Sequence, residues 1–269
     1  MNSSISKALS VLTLMAAASP AAASSSDWYT VEGGGIRLVT AGQADASGLI
    51  RGVLEIALKP GWKTYWRDPG DAGVPPTIDI APSTNISAAT LDYPPPQRFD
   101  DGFAVWAGYK DPVSLPITFA AGKPAEPALI EADVFLGICE TICIPVQARL
   151  SVDPAADPEN ADDSAVVEAA FAALPEPARA EFGVIALKGE YKQLLVQANI
   201  PGGDPERAEF FIAGSDGYTF GTPERRIEGD KALFAIPILE WPAGIPGTGG
   251  LSYTLVTDVG AVAGVLPFH

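Results

Sequence analysis

A chain of 269 residues with 33 acidic and 17 basic side chains carries a net charge of −16 at neutral pH. That balance argues against nucleic acid and anionic lipid as partners, because their phosphates must be met by lysine and arginine. The single histidine is the last residue, His269, which excludes a Cys–His nucleophile, a Ser–His triad and a multi-histidine metal site within the fold.

Lys7 is the only charge before Asp27, and it precedes the apolar run Ala8 to Ala18. Ser19-Pro20-Ala21-Ala22-Ala23 then supplies a helix breaker and the small-x-small pattern that a signal peptidase accepts. The apolar run is shorter than the roughly 20 residues of a bilayer span. Residues 1–23 are therefore expected to be a signal peptide cleaved after Ala23, the alternative being a buried N-terminal helix. Cleavage leaves a mature chain of about 246 residues with a charge of −17, long enough for two sizeable cores. No later stretch holds about 18 uninterrupted apolar residues, so the mature protein is expected to be soluble and periplasmic, without direct membrane insertion.

Prolines (25) and glycines (27) are dispersed among apolar alternations, as in a protein of many short strands. From Ile50 to Lys59 the even positions are apolar apart from Gly52, while Arg51, Glu55 and Lys59 fall on the odd side, a period of two with one buried face. Pro60-Gly61 reads as a turn, Trp62-Lys63-Thr64-Tyr65-Trp66 as an aromatic segment that packs in the core or at its rim, and residues 67–76 as a loop. Between Ala128 and Val152 the even positions are apolar on both sides of two cysteines, which predicts a hairpin. Asp153 to Asp163 is an acidic, proline-containing linker. Ser164 to Leu174 reads as a helix with N-caps among Asp162, Asp163 and Ser164, an apolar stripe at Val167, Ala170, Phe171 and Leu174, and a stop at Pro175. It is expected to pack between domains. Strand patterns return after Phe182, over 194–200, 208–213, 226–227 turning at Gly229-Asp230 into 232–239, and 252–257.

The expected fold class is all-β: two β-sandwich domains joined by an acidic linker and a short helix. The expected boundaries are 24–153 for the first domain, 154–178 for linker and helix, and 179–269 for the second domain.

Cys139 and Cys143 are the only cysteines. In an oxidising compartment such a pair is expected to form a disulfide. A bond across so short a loop contributes about 2 kcal/mol in the chain-entropy model, against nearly 5 for a long loop, which favours a reactive bond over a staple. Both cysteines are odd-numbered, on the side of Glu131, Asp133, Gln147 and Arg149. If the register holds, both sulfurs face outward at a hairpin tip, within reach of an attacking thiolate. Three readings stay open: thiol–disulfide exchange, a non-redox binding or scaffold module with a local structural clip, and Cu(I) handling by two thiolates. No cofactor or metal is expected for the first.

Further strings recur in order: Pro60-Gly61-Trp62-Lys63-Thr64-Tyr65-Trp66-Arg67, Tyr93-Pro94-Pro95-Pro96, Phe99-Asp100-Asp101-Gly102-Phe103, Gly108-Tyr109-Lys110-Asp111, Leu115-Pro116-Ile117, and Cys139 to Pro145. On these, residues 28–152 resemble the N-terminal periplasmic domain of the DsbD/ScsB disulfide-reductase family, and the second half resembles the companion β-domain of the longer ScsB-type members. The resemblance implies an immunoglobulin-like domain whose cysteine pair takes electrons from a membrane-embedded hub and passes them to thioredoxin-fold proteins of the periplasm, as a protein-disulfide reductase component. It also implies a cap loop over the cysteines at Phe99 to Trp106, with Asp100 and Asp101 at its acidic positions, Phe103 as the aromatic lid, and Tyr109 at a further family position. Carboxylates at Asp100, Asp101 and Glu140 would oppose thiolate formation. The family's hub is normally fused in the same chain. Without a later span here, a stand-alone form with a separate membrane electron donor is expected, the alternative being loss of the relay role. The cysteine spacing is closer to that of the ScsB-like branch.

Overall fold

The computed structural model describes residues 24–70, 72–187, 192–214, 218–240 and 250–266. The expected signal peptide and His269 lie outside the described residues. The first half is built from β1 (Tyr29–Val31), β2 (Gly34–Thr40), β3 (Leu49–Leu58), β4 (Thr64–Gly70), β5 (Thr77–Asp79), β6 (Ile86–Leu91), β7 (Gln97–Asp100), β8 (Val105–Tyr109), β9 (Val113–Ala121), β10 (Ile130–Cys139) and β11 (Cys143–Val152). These strands pair as a five-stranded sheet, β1-β2-β3-β9-β6, and two three-stranded sheets, β11-β10-β5 and β4-β8-β7.

The alternation read from the sequence governs the core. Ile50, Leu54, Ile56 and Leu58 of β3 are buried together with Ile130, Ala132, Val134, Leu136 and Ile138 of β10. Val53 breaks the rule: it is odd-numbered and fully buried, because the helix α1 (Ala161–Ala172) lies on the outer face of the first sheet. Val39 and Val53 meet Val167 and Ala170 there. Arg51 pairs with Glu168 and lies 4.1 Å from the Phe171 ring. The helix therefore packs on the first sandwich rather than between the two, since the apolar spot left by Val39 and Val53 is what its short stripe can cover. Asn160, not one of the residues after it, is the N-cap, its side chain accepting from the Asp163 N–H at 2.9 Å. Asp163 is itself buried and accepts from the Ser24 hydroxyl.

The Pro60-Gly61 turn forms as expected, with the Trp62 N–H donating to the Lys59 carbonyl at 3.0 Å and Gly61 at φ 89°, the left-handed geometry that favours glycine. The stretch after it differs. Residues 67–70 continue β4 instead of forming a loop. The strand is an edge of its sheet, and its pairing to β8 shifts register between Tyr65 and Gly70. At such an irregular edge the N–H that Pro69 lacks is not needed.

The second half carries β12 (Glu176–Pro177), β13 (Gly183–Leu187), β14 (Gln193–Asn199), β15 (Glu209–Ala213), β16 (Thr219–Phe220), β17 (Glu224–Glu228), β18 (Lys231–Glu240), β19 (Leu251–Thr257) and β20 (Gly260–Leu266). One sheet runs β12-β20-β19-β15; the other runs β13-β14-β18-β16, with β17 also on β18. Phe210, Phe234, Ile236, Tyr253 and Leu255 form its core. Phe211 and Ala213 of β15 instead join the core of the first sandwich, so the two halves abut. The fold is all-β and immunoglobulin-like.

Candidate redox site

Strands β10 and β11 pair over ten residues in unbroken antiparallel register, from Ile130 with Val152 to Cys139 with Cys143. Glu140, Thr141 and Ile142 close the link, the Glu140 N–H donating to the Ile142 carbonyl at 3.1 Å. The cysteines thus stand directly opposite, Cα to Cα 4.0 Å, and are joined by a disulfide.

The two sulfur-bearing residues differ in exposure. Cys143 is exposed, whereas Cys139 is 1% exposed. This corrects the expectation that both face outward. The register does hold to the hairpin end, but the odd face of β10 is covered there by the β4-β8-β7 layer. Lys63 and Cys139 exchange backbone hydrogen bonds, N–H to O at 2.8 and 2.9 Å, which seats the layer against the hairpin. The Thr64 hydroxyl adds a bond to the Gly137 carbonyl at 2.9 Å. A Cβ on Gly137 would press on Val74 Cβ at 3.2 Å and only touch the Tyr65 ring, at 3.5 Å, and Cys139 Sγ, at 3.6 Å.

Over Cys139 lie Tyr65 and Trp106, with Phe99 packed against them. Tyr65 meets Trp106 edge-on at 5.6 Å, and Phe99 stacks on Trp106 at 4.4 Å. The Tyr65 hydroxyl is 3.6 Å from Cys143 Sγ. A disulfide sulfur has no proton, so the phenol is the donor. Burial first, and the charge of Asp101 second, push the Tyr65 pKa above its ordinary value, so the phenol keeps its proton at neutral pH.

Charges frame this cluster. Lys63 Nζ lies 4.4 Å from the Trp106 ring and 3.1 Å from Asp101 Oδ2. Lys110 Nζ lies 4.1 Å from the Phe99 ring. Asp101 is held down to about 2, by the Ala104 N–H first, then Lys63 and the Phe103 N–H. Asp100 accepts from the Gly102 N–H at 2.8 Å, with Gly102 at φ 82°. These side-chain-to-backbone bonds fix the β7–β8 turn with Phe103 pointing to solvent.

Phe103 is fully exposed and covers nothing; the place expected for it is taken by Trp106, Tyr65 and Phe99. Tyr109 is buried in the main core, its hydroxyl donating to the Pro94 carbonyl at 2.8 Å, and is not one of the residues clustered on Cys139. Glu140 is exposed in the hairpin link beside Gly61, where a Cβ would meet its Oε1 at 3.2 Å. Sequence reasoning included Phe99 and Trp106 in the cap segment but missed Lys63 and Tyr65 as neighbours of the pair, and Lys110 over the Phe99 and Trp106 rings. Strand parity held the signal: Lys63 and Tyr65 share one face of their segment, as Phe99 shares one with Asp101. Among the described residues no group of three or more His, Cys, Asp and Glu side chains could hold a metal ion.

Comparison with known proteins bears on this site. The family model described as thiol:disulfide interchange protein DsbD, N-terminal, matches residues 37–154. The N-terminal periplasmic domain of ScsB from Proteus mirabilis superposes with a TM-score of 0.73 at 23% identity, covering 92% of this chain and 100% of that one. The Escherichia coli adhesin FdeC aligns over 91% of this chain and 63% of its own at 13% identity, with a TM-score of 0.20, too low to bear on the fold. No curated protein matches the chain. The whole cysteine hairpin falls inside the matched span, and residues 37–154 form a DsbD N-terminal-type domain that shares the fold of the ScsB periplasmic domain.

Proposed function

We propose that the Cys139–Cys143 pair exchanges thiols and disulfides with thioredoxin-fold proteins of the periplasm, and that a separate membrane protein supplies or removes its electrons. The observation that carries this reading is the asymmetry of the bond: Cys143 lies open at the hairpin tip while Cys139 is buried beneath Tyr65 and Trp106. A partner thiolate attacks Cys143 Sγ, the Cys139–Cys143 bond breaks, and Cys139 leaves with the electron pair as a thiolate. The partner's second thiolate then attacks the mixed disulfide and releases Cys143. Two electrons have passed to the pair, and the partner has become a disulfide. The reverse sequence delivers electrons, with Cys143 as nucleophile and Cys139 resolving.

The surroundings support a bond that reacts slowly on its own. Burial disfavours a thiolate at Cys139, making it a poor leaving group until the covering layer moves. The Tyr65 phenol works the other way, favouring a thiolate on Cys143. We read 24–153 as the exchange domain and 179–269 as its companion, exported after cleavage at Ala23. No helix of the described residues is long and apolar enough to cross a membrane. Incubating the reduced protein with an oxidised thioredoxin-fold protein tests the exchange: thiol counting should find two equivalents moved to the partner. A pair that stays reduced while the partner stays oxidised, at a donor potential that permits transfer, would favour a structural bond instead.

A further inference from the structure

Strand alternation gives the β4-β8-β7 layer two working faces. Tyr65, Phe99 and Trp106 face Cys139. Of their chain neighbours, Trp66 and Ala107 join the main core of the first sandwich, to which Phe211 and Ala213 of β15 also belong. The Trp66 ring meets Phe211 edge-on at 5.8 Å. The Arg98 guanidinium lies 4.6 Å from the same Phe211 ring and donates to the Phe210 carbonyl at 2.8 Å. On β4, Asp68 Oδ2 accepts from the Gly214 N–H at 3.1 Å. The layer is therefore held between the disulfide on one side and β15 on the other.

Closing this layer carries a cost. Trp66 Nε1 and Trp106 Nε1, one for each face, are buried and find no acceptor among the described residues. An unpaired buried donor favours the open arrangement, in which water can reach it. Something must offset that tendency. Arg98 can supply the offset, because its charge-assisted hydrogen bond to a carbonyl and its cation–π contact act together; burial disfavours its charge, and Glu209 and Asp68 recover part of that loss.

We propose that the second sandwich clamps the β4-β8-β7 layer shut over Cys139, with Arg98 as the positioning residue, and so sets how fast a thiol gains the disulfide. The purpose of the clamp rests on the exchange function proposed above; the mechanical coupling does not.

The test uses the full chain, oxidised, reduced by dithiothreitol in a stopped-flow instrument at one pH. Arg98→Ala is expected to raise the rate constant about 5- to 30-fold, the range that one or two weak contacts command. Arg98→Lys keeps a cation over Phe211 and should return the rate to within about threefold of wild type. Val196→Ala, in the second-sandwich core and away from the layer, controls for stability alone. It should change the rate less than about twofold even if its urea midpoint falls as far as that of Arg98→Ala. Should Arg98→Ala fail to fold, Asp68→Asn weakens the Gly214 contact and should raise the rate in the same direction. Wild-type rates in Arg98→Ala, or in Asp68→Asn where it stands in, or a Val196→Ala rate as high as theirs, overturn the clamp. Exchange with a thioredoxin-fold dithiol is measured in parallel. If that fails while the dithiothreitol rates separate the variants, the exchange function falls and the clamp stands. If exchange proceeds while the rates do not separate, the clamp falls and the exchange function stands.

Discussion

Replacing both cysteines by alanine should weaken the fold only modestly. The bond joins residues four apart, and the chain-entropy relation gives about 2 kcal/mol for so small a loop, against nearly 5 for one of about 100 residues. Removing the sulfur of Cys139, which is 1% exposed, adds about 1 kcal/mol of lost burial; the exposed Cys143 adds little. The sum is about 3 kcal/mol, small enough for the ten-residue β10–β11 register and the core beneath it to persist. Urea unfolding followed by tryptophan fluorescence would read this as a midpoint lowered by about 1 to 3 M at the slopes usual for small domains. The transition should remain cooperative. A loss above about 5 kcal/mol, or disappearance of the first-sandwich transition, would mean that the bond is a staple and that the loop-length reasoning is wrong.

Four further outcomes follow from the geometry around the sulfurs. Trp106→Ala strips the cover from Cys139, so its reduction by a small thiol should accelerate, with about 3–5 kcal/mol of stability lost; Phe103→Ala, at a fully exposed position, should leave that rate at the wild-type value. Tyr65→Phe deletes the phenol that donates to Cys143, so the reduced Cys143 thiol should have a higher pKa and react with an alkylating agent at pH 7 roughly 2- to 10-fold more slowly. Asp101 has a folded pKa of about 2 against an ordinary value of 3.8, so its bonds to the β7–β8 turn hold fully above pH 3.8 and are lost as the pH falls through about 2. Reduction by a water-soluble phosphine, which acts in acid, should therefore speed up across that window in the wild type and show no such step in Asp101→Asn.

Much of the hairpin is legible in the sequence because one period governs it. From Ile130 to Ile138 each even residue is buried, and Cys139 falls opposite Cys143 as the alternation requires. The burial of Cys139 is not legible, because parity assigns a face and cannot say which distant strand covers it. Here a third sheet, contributed by residues 64–70, 97–100 and 105–109, folds onto the hairpin end. Phe103 illustrates the same limit in reverse: an aromatic at a lid position is turned outward by the Asp100 and Asp101 bonds to the turn backbone. Strand β20, Gly260–Leu266, has no signature in the sequence, since its glycines and alanines show no strong alternation and its burial comes from pairing with β19. The sequence pattern starts the helix three residues late because Asn160 outcompetes the aspartates as cap, a boundary that local chemistry decides among near-equal candidates.

The most direct measurement of the central claim is trapping with single-cysteine variants. Cys139→Ser leaves only the open thiol of Cys143, and Cys143→Ser leaves only the buried one. Each is offered to a thioredoxin-fold protein that lacks its second cysteine and carries an aromatic thiol leaving group on the first, so that the attacking thiolate expels the aromatic thiolate and the mixed disulfide has no thiol left to resolve it; covalent adducts are counted by non-reducing electrophoresis. Interchange through Cys143 predicts a stable mixed disulfide with Cys139→Ser and about tenfold less, or none, with Cys143→Ser. Equal yields would contradict the assignment of Cys143 as the attacked sulfur, and no adduct from either variant would contradict thiol–disulfide interchange itself.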